Sequence, residues 1–206
     1  MKKYTGLICL FMLCCHVSAQ AGDCEAIGAR LNALASADQQ IRQEWEILMQ
    51  DAASTPRARD AVQQRWRAID SANLKEVKTL IAACGWPADQ AGSHSAWLLA
   101  QHADSDLAFQ HRAKDLLEAA VKAGTAAARD LAYLSDRIAA NEGRPQEYGT
   151  QFTQTDRCHM TMLPVDDVQR ANARRLAVGL PSLEAYEAEG RRRFMPADCR
   201  DGGDRS

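Results

Sequence analysis

The segment QHAD, residues 101–104, places an imidazole and a carboxylate two residues apart. His102 follows Leu98 and Leu99 by four and three residues, so on a helix it lies on their apolar face. Histidine changes charge near neutral pH, and a nearby carboxylate can orient it as a general base. His102 and Asp104 are therefore candidate catalytic residues. A histidine satisfied within the core is the structural alternative.

A second group of polar residues lies on one face of the helix predicted over residues 126–140. Tyr133, Asp136 and Arg137 fall at positions i, i+3 and i+4, opposite a set of apolar residues formed by Leu131, Leu134 and Ile138. This helix uses one face for the core and the other for polar contacts. Asp136 is a second candidate for the carboxylate that orients His102, and Arg137 is a candidate binding residue.

The stretch NEGRPQEYGTQF, residues 141–152, interrupts the helical pattern with two glycines and a proline. It carries Gln146, Tyr148 and Gln151 close together, and we take these three as candidate binding residues. Amides are poor acid–base groups, so the loop favours binding of a polar ligand, such as a peptide or a sugar fragment. The same side chains could equally bind the helix ends of the protein itself.

Asp38 stands where the helical pattern around it calls for an apolar residue. A carboxylate on a core-facing position must be paired, be hydrogen-bonded or face a cavity. Arg42 follows at i+4, where the two side chains can pair along one face. Asp38 and Arg42 are candidate binding residues, and a partly exposed ion pair is the structural alternative.

The sequence lacks the motifs of several other catalytic and nucleotide-binding classes. It contains no G-x-S-x-G, no H-E-x-x-H, no phosphate-binding loop and no dinucleotide-binding glycine pattern. His94, His102, His111 and His159 do not stand at metal-ligand spacing, so we expect neither a metal nor another cofactor. A metal bound by His102 and Asp residues is the weaker alternative. The run Arg191 to Arg193 is typical of a solvated helix end. Without a general basic excess, no nucleic-acid partner is expected.

The first residues have the composition of a secretory signal peptide. Lys2 and Lys3 precede an apolar run from Leu7 to Val17, and small residues then offer cleavage after Ala19 or Ala21. The predicted leader is residues 1–21, and a retained membrane anchor is the alternative. Its removal changes the formal net charge from −2 to −4, because both lysines leave. We expect a periplasmic or secreted, soluble protein with no membrane span after cleavage.

Four cysteines remain after the leader: Cys24, Cys84, Cys158 and Cys199. None forms a C-x-x-C pair, so the sequence favours structural disulfides over zinc or thioredoxin-like chemistry. Three pairings are possible. Two antiparallel helices joined by a short turn bring residue 24 beside residue 84, which predicts Cys24–Cys84 and leaves Cys158–Cys199.

The elements that must position these residues are helices. Apolar residues at helical spacing predict one helix over 24–50 and a second from the Ser54-Thr55-Pro56 start to Cys84. Their predicted core stripes are Ile27, Leu31, Leu34, Ile41, Trp45 and Leu48, and then Val62, Trp66, Ile69, Asn73, Val77, Leu80 and Cys84.

Shorter helices are predicted over 92–103, 105–123, 126–140, 165–178 and 182–193, because Gly, Pro and Asp-Ser breaks separate them. The predicted fold is all-α, with a long N-terminal antiparallel helix hairpin followed by a disulfide-stapled bundle of shorter helices. Residues 22–200 form one predicted domain, and residues 201–206 a disordered tail.

Several segments together resemble an uncharacterised bacterial helical domain family. They are ADQQIRQEW, CGWP, AWLLAQHADSDLAFQ, LAYLSDRI, GRPQEYGTQF and ARRLAVGLPSLEAY, spread over most of residues 30–186. The family pattern falls on Asp38, Arg42, His102, Asp104, Asp136, Arg137, Gln146, Tyr148 and Gln151. The resemblance implies a shared helical fold and no particular activity. Cys84 departs from the family pattern, which has a polar residue before Gly-Trp-Pro.

Three functions are compatible with these residues. The first is an exported binding module with one polar pocket for a small polar ligand or a peptide. The second is a hydrolase that uses His102 as base, oriented by Asp104 or Asp136. The third is a periplasmic inhibitor or immunity-like protein that acts on a protein partner.

Overall fold

The computed structural model describes residues 24–156 and 158–200. Its helices are α1 (Ile27–Gln50), α2 (Pro56–Cys84), α3 (Gln90–Gln101), α4 (Leu107–Lys122), α5 (Ala128–Asn141), α6 (Val168–Ala177), α7 (Leu183–Phe194) and α8 (Ala197–Arg200). Between α5 and α6 lie two short strands, β1 (Phe152–Gln154) and β2 (Met160–Met162). The predicted helical fold is confirmed. The predicted leader and tail lie outside the described residues.

The first two helices form the predicted hairpin. Thr55 caps α2 by accepting the amide of Ala58, and Pro56 begins the helix where its missing N–H costs nothing. The hairpin brings Cys24 beside Cys84, and a disulfide joins them with a Cα–Cα distance of 5.3 Å. The pairing predicted from the helix lengths is therefore confirmed.

Helix α3 lies at the centre of the fold and packs against α1, α2, α4 and α5. Its small residues allow this close packing. A Cβ atom placed on Gly92 would lie 3.2 Å from the Cα of Gly28 in α1 and 2.9 Å from Pro87 Cβ. Any side chain at position 92 would therefore push α3 away from α1.

The main core collects apolar side chains from the first five helices. Its fully enclosed members are Leu31, Val77, Ala96, Ala100, Ala113, Leu117 and Leu134. A smaller cluster lies beyond it, where Met160, Met195 and Cys199 pack with Phe152, Cys158 and Phe194. The second disulfide, Cys158–Cys199, stands in this cluster with a Cα–Cα distance of 5.1 Å.

The sequence patterns do not predict the β1–β2 pair. The strands are antiparallel, with Phe152 opposite Met162 and Gln154 opposite Met160. Each strand is three residues long, too short for a period-two pattern to stand out in a sequence. Long-range contacts of the preceding loop hold this pair in place, as described below.

None of the helices in residues 24–156 and 158–200 is long and apolar enough to cross a membrane.

The hairpin disulfide should contribute strongly to stability, because it closes a loop with a sequence separation of 60. Changing Cys24→Ser together with Cys84→Ser should lower the free energy of unfolding by about 4 kcal/mol in the chain-entropy model. Urea unfolding of the double variant and the parent protein measures this loss.

Peptide mapping without reduction should recover Cys24–Cys84 and Cys158–Cys199. A Cys84–Cys158 peptide would contradict the hairpin.

Candidate functional site

An open cleft of about 780 Å³ lies between the α1–α2 hairpin and the elements that follow α3. The hairpin wall carries residues from one face of each helix, namely Gln39, Arg42, Trp45, Glu46 and Met49 of α1 with Gln63, Trp66, Arg67 and Asp70 of α2. Helix α3 contributes Trp97, Leu98, Gln101 and His102. The volume falls in the range of about 300–1,000 Å³ that is usual for small-ligand sites.

Aromatic side chains are concentrated in this cleft. Seven of the twelve aromatic residues in the chain line it, including three of its four tryptophans. Trp45 and Trp66 meet edge to face across the hairpin, with centroids 6.0 Å apart. A second group is a continuous row of ring contacts through Trp97, Tyr133, Tyr186 and Phe152.

Trp45 and Trp66 differ from the sequence prediction, which placed both on core stripes. In the structure each ring is partly exposed and lines the cleft. The buried residues of α1 end at Ile41, because the core formed with α3 does not extend along the whole hairpin. Periodicity alone cannot separate a core position from a cleft position on the same helical face.

His102 ends α3 and contacts two residues of α1. Its Nδ1 lies 3.0 Å and 2.9 Å from the two carboxylate oxygens of Asp38, and Arg42 Nε lies 3.0 Å from Nδ1 and 3.2 Å from Nε2. One ring nitrogen cannot donate to Asp38 and accept from Arg42 at once. We therefore assign the proton to Nδ1, which donates to Asp38. The Arg42 guanidinium lies against the imidazole, with its Nε at nearly equal distances from both ring nitrogens.

Burial keeps His102 neutral. Removal from water lowers the pKa of its imidazole, and the Arg42 guanidinium lowers it further, against the opposing effect of the Asp38 carboxylate. For Asp38, burial raises the pKa, but the hydrogen bond from His102 and the charge of Arg42 outweigh it, so the pKa lies below its usual value. Asp38, 1% exposed, is thus an ionised carboxylate enclosed by the protein.

Arg42 joins this pair to the hairpin wall. Its Nη2 lies 3.2 Å from Asp38 and 3.3 Å from Asp70, and its guanidinium stacks 4.6 Å from the ring centroid of Trp66. The predicted i,i+4 pairing of Asp38 with Arg42 is therefore present. Asp70 is an additional partner that we did not predict from the sequence, although it stands at i+4 from Trp66 on the cleft-lining face of α2.

Asp104 pairs with Arg137 and not with His102. Arg137 Nε donates to Asp104 Oδ1 at 2.8 Å, its Nη2 contacts the other oxygen, and its Nη1 donates to Gln151 Oε1 at 3.2 Å. Burial raises the pKa of Asp104, but the bonds from Arg137 bring it below its usual value. Asp104, Arg137 and Gln151 all line the cleft. The carboxylate on His102 is that of Asp38.

Asp136 lies away from the cleft and holds the loop that follows α5. Its side chain is fully buried and accepts the amides of Glu147, Tyr148 and Thr150, together with the Thr150 hydroxyl. Burial raises the pKa of Asp136 above its usual value, although these four bonds oppose the shift. We call residues 146–151 the clasp loop.

Gln146, also fully buried, closes the clasp loop from within. Its Oε1 accepts the amides of Thr150 and Gln151 at 2.8 Å and 2.6 Å. Its Nε2 donates to the carbonyls of Gln151 and Leu163 at 3.1 Å and 2.9 Å. All four hydrogen-bonding positions of the amide are used, so Gln146 orders backbone and does not line the cleft.

The last two long helices cover the clasp loop. Arg175 is fully buried and donates to the carbonyls of Tyr148 and Gly149 at 2.7 Å and 3.0 Å, while it stacks on Tyr186. The Tyr186 hydroxyl donates to the Thr150 carbonyl at 3.0 Å. Gly149 has a φ of +66°, and a Cβ atom there would lie 2.4 Å from Leu183. Only glycine fits at this position.

The candidate residues thus separate into two places. Arg42, His102, Asp104, Arg137 and Gln151 line the cleft. Asp38 lies behind His102, whereas Asp136, Gln146 and Tyr148 belong to the clasp assembly. The clasp loop still affects the cleft, because Thr150 and Gln151 lie in both.

A family model described as a family of unknown function (DUF6624) matches residues 26–190. The chain belongs to this family. The resemblance to an uncharacterised domain family is confirmed, and the DUF6624 match includes every candidate site residue named above. It excludes Cys24 and Cys199, so each disulfide has one cysteine outside the matched region. No curated protein and no solved structure matches the chain.

Three cleft-lining side chains of this DUF6624 member carry buried polar atoms without a hydrogen-bond partner among the described residues. One atom is Arg42 Nη1, and the other two are Trp97 Nε1 and Gln101 Oε1, which belong to residues only 8% and 7% exposed. Trp97 and Gln101 stand at i and i+4, on one face of α3. An unpaired buried polar atom typically costs about 1–3 kcal/mol. No group of three or more His, Cys, Asp or Glu suited to a metal occurs in the described part of the chain.

Gln146→Ala should destabilise the fold. It leaves the Gln151 amide and the Leu163 carbonyl without this partner, and it removes one of two partners from the Thr150 amide and the Gln151 carbonyl, so the free energy of unfolding should fall by at least about 2 kcal/mol. Gln64→Ala is the matched control, because Gln64 is an exposed helical glutamine outside the cleft. That change should cost less than about 0.5 kcal/mol. Similar urea midpoints for the two variants would contradict a structural role for the clasp loop.

The lowered pKa of His102 predicts a loss of stability in mild acid. The unfolded chain takes up a proton as the pH falls through about 6.5, while the folded protein resists until its own lower pKa is reached. The free energy of unfolding is therefore fully retained above about pH 6.5 and declines below it. Urea unfolding between about pH 7.5 and about pH 5.5 should show a shallower decline for His102→Gln. Equal slopes would mean that His102 titrates normally.

Proposed function

We propose that the protein is a binding module that holds a polar organic ligand in the cleft. The observation that carries this proposal is the composition of the lining, which combines seven aromatic rings with Arg42, Arg137 and several glutamine amides. Aromatic rings supply contact area at low entropic cost, and fixed polar groups supply orientation. The lining is open to solvent, so a ligand can enter without unfolding the clasp loop.

The contacts around His102 favour binding over catalysis. A general base needs a free ring nitrogen that reaches the proton it removes. Nδ1 of His102 is held by Asp38, and the Arg42 guanidinium lies against the ring, with its Nε 3.2 Å from Nε2. Asp104 is held by Arg137, and Asp136 lies in the clasp assembly. The polar groups of the cleft are thus held in fixed positions, as recognition requires.

A hydrolase is the second candidate. The observation that favours it is the buried Asp38–His102 pair, which resembles the carboxylate–imidazole arrangement that orients a general base. In this scheme a substrate would displace the Arg42 guanidinium from the imidazole ring, and Nε2 would activate a water. Turnover lost in both His102→Gln and Asp38→Asn, with ligand binding retained, would favour this candidate over a pure binding module.

An exported location suits the proposed module. Two disulfides persist in oxidising compartments, and the leader predicted over residues 1–21 would direct the chain there. The binding site would then meet ligands of the periplasm or the external medium.

The binding proposal is tested with three groups of probes: neutral oligosaccharides, acidic oligosaccharides and short peptides. Tryptophan fluorescence reports directly on the cleft, because three of the four tryptophans line it. At least one group should bind, and Trp66→Leu should weaken that binding about tenfold or more, since the ring contributes area and stacking. The melting temperature of the variant shows that it folds. Absence of binding by all three groups, or an unchanged affinity in Trp66→Leu, would contradict the proposal.

A further inference from the structure

We propose that the ligand of the cleft is a neutral oligosaccharide. This inference rests on the proposed binding function and identifies its ligand class. It depends on three properties of the lining: the arrangement of the aromatic rings, the pairing of the charges and the supply of groups that both donate and accept hydrogen bonds.

The aromatic rings suit an extended ligand with flat apolar faces. Trp45 and Trp66 form one group on the hairpin, while Tyr133, Tyr186 and Phe152 continue another on later elements. A pyranose ring presents C–H groups on its faces and hydroxyls around its edge, so it can stack on a ring while its hydroxyls bind polar side chains. Two separate aromatic groups fit successive sugar rings of one chain.

The charges in the lining argue against an anionic ligand. Arg42 is paired with Asp70, Arg137 with Asp104, and Glu46 with Arg193 at the end of α7. Arg67, the remaining cation of the described lining, is exposed and donates to Gln63 at 3.4 Å. Phosphate and carboxylate ligands are held by guanidinium groups that are free to form two parallel bonds. Here Arg137 already makes such a pair of bonds with Asp104, and Arg42 already contacts both Asp38 and Asp70, although its Nη1 has no partner among the described residues.

The uncharged polar groups match hydroxyls. Five glutamines line the cleft, and an amide both donates and accepts hydrogen bonds, as a hydroxyl does. Gln151 already uses both ends of its amide on Arg137 and Thr150, so the other four are the candidate partners of a ligand. Trp97 Nε1 and Gln101 Oε1 add an unpaired donor and an unpaired acceptor on one face of α3.

A peptide fits these features less well. One common mode of peptide binding pairs an extended backbone with an exposed strand edge. The strands of the described residues are three residues long, so either edge of their two-stranded sheet offers few backbone groups. The polar groups of the cleft are side chains placed singly along helices, which suits hydroxyls around sugar rings.

The experiment is titration calorimetry of the full mature chain with neutral trisaccharides (cellotriose, maltotriose and chitotriose), with trigalacturonic acid and with tripeptides. At least one neutral trisaccharide should bind, with an affinity that changes less than twofold between low and high salt, because no ion pair forms. Trp66→Leu should weaken this binding about tenfold or more. Gln63→Ala, on the cleft face, should weaken it about threefold, as loss of one hydrogen bond predicts.

Gln64→Ala is the matched control, because it removes the same side chain from the neighbouring, exposed position outside the cleft. Its affinity should equal that of the parent protein. Salt-sensitive binding of trigalacturonic acid alone, or binding of tripeptides alone, would overturn the oligosaccharide inference. If Trp66→Leu abolishes that binding, the proposed binding function of the cleft still stands. No binding by any probe would overturn the inference and the proposed function together.

Discussion

The buried carboxylate of Asp38 imposes the constraint on which the cleft depends. An ionised group enclosed by protein must be paired and hydrogen-bonded, or its loss of hydration is not offset. The partners of Asp38 are His102 at the end of α3 and Arg42 on its own helix. The requirement fixes α3 against the hairpin and orients both partners at the cleft. Since Arg42 also contacts Asp70 and Trp66, one buried charge positions side chains from three helices.

The clasp loop satisfies a similar requirement with backbone groups. Its amides need partners when they leave water, and Asp136 and Gln146 supply them. Arg175 and Tyr186 then cover the carbonyls of the same loop. The result places Gln151 beside Arg137 and begins β1 at the cleft edge. The polar residues of the clasp loop resemble a binding motif in the sequence, but in the structure they mainly stabilise the segment next to the cleft.

Together these two assemblies produce a lining that is rigid, aromatic and internally neutralised. This lining is the basis of our proposal of a neutral ligand, because aromatic rings and amides suit flat apolar faces with hydroxyl edges. The Cys158–Cys199 bond adds to this rigidity, because it lies in the cluster that contains Phe152, Met160 and Phe194 at the cleft edge. Disulfides, clasp loop and buried ion pair all favour a preformed site.

Local interactions could be predicted from the sequence alone. Helical spacing, Gly and Pro breaks and the Thr55-Pro56 start determine the helices, and a hairpin of such helices determines the Cys24–Cys84 pairing, because both depend on neighbours along the chain. The Asp38–Arg42 pair is local for the same reason. Only the tertiary structure decided that Asp38, 64 residues away, and not the nearby Asp104, binds His102. It also decided that Trp66 faces a cleft and that Gln146 is buried. Such outcomes depend on which faces of distant elements meet, and helical periodicity carries no information about that.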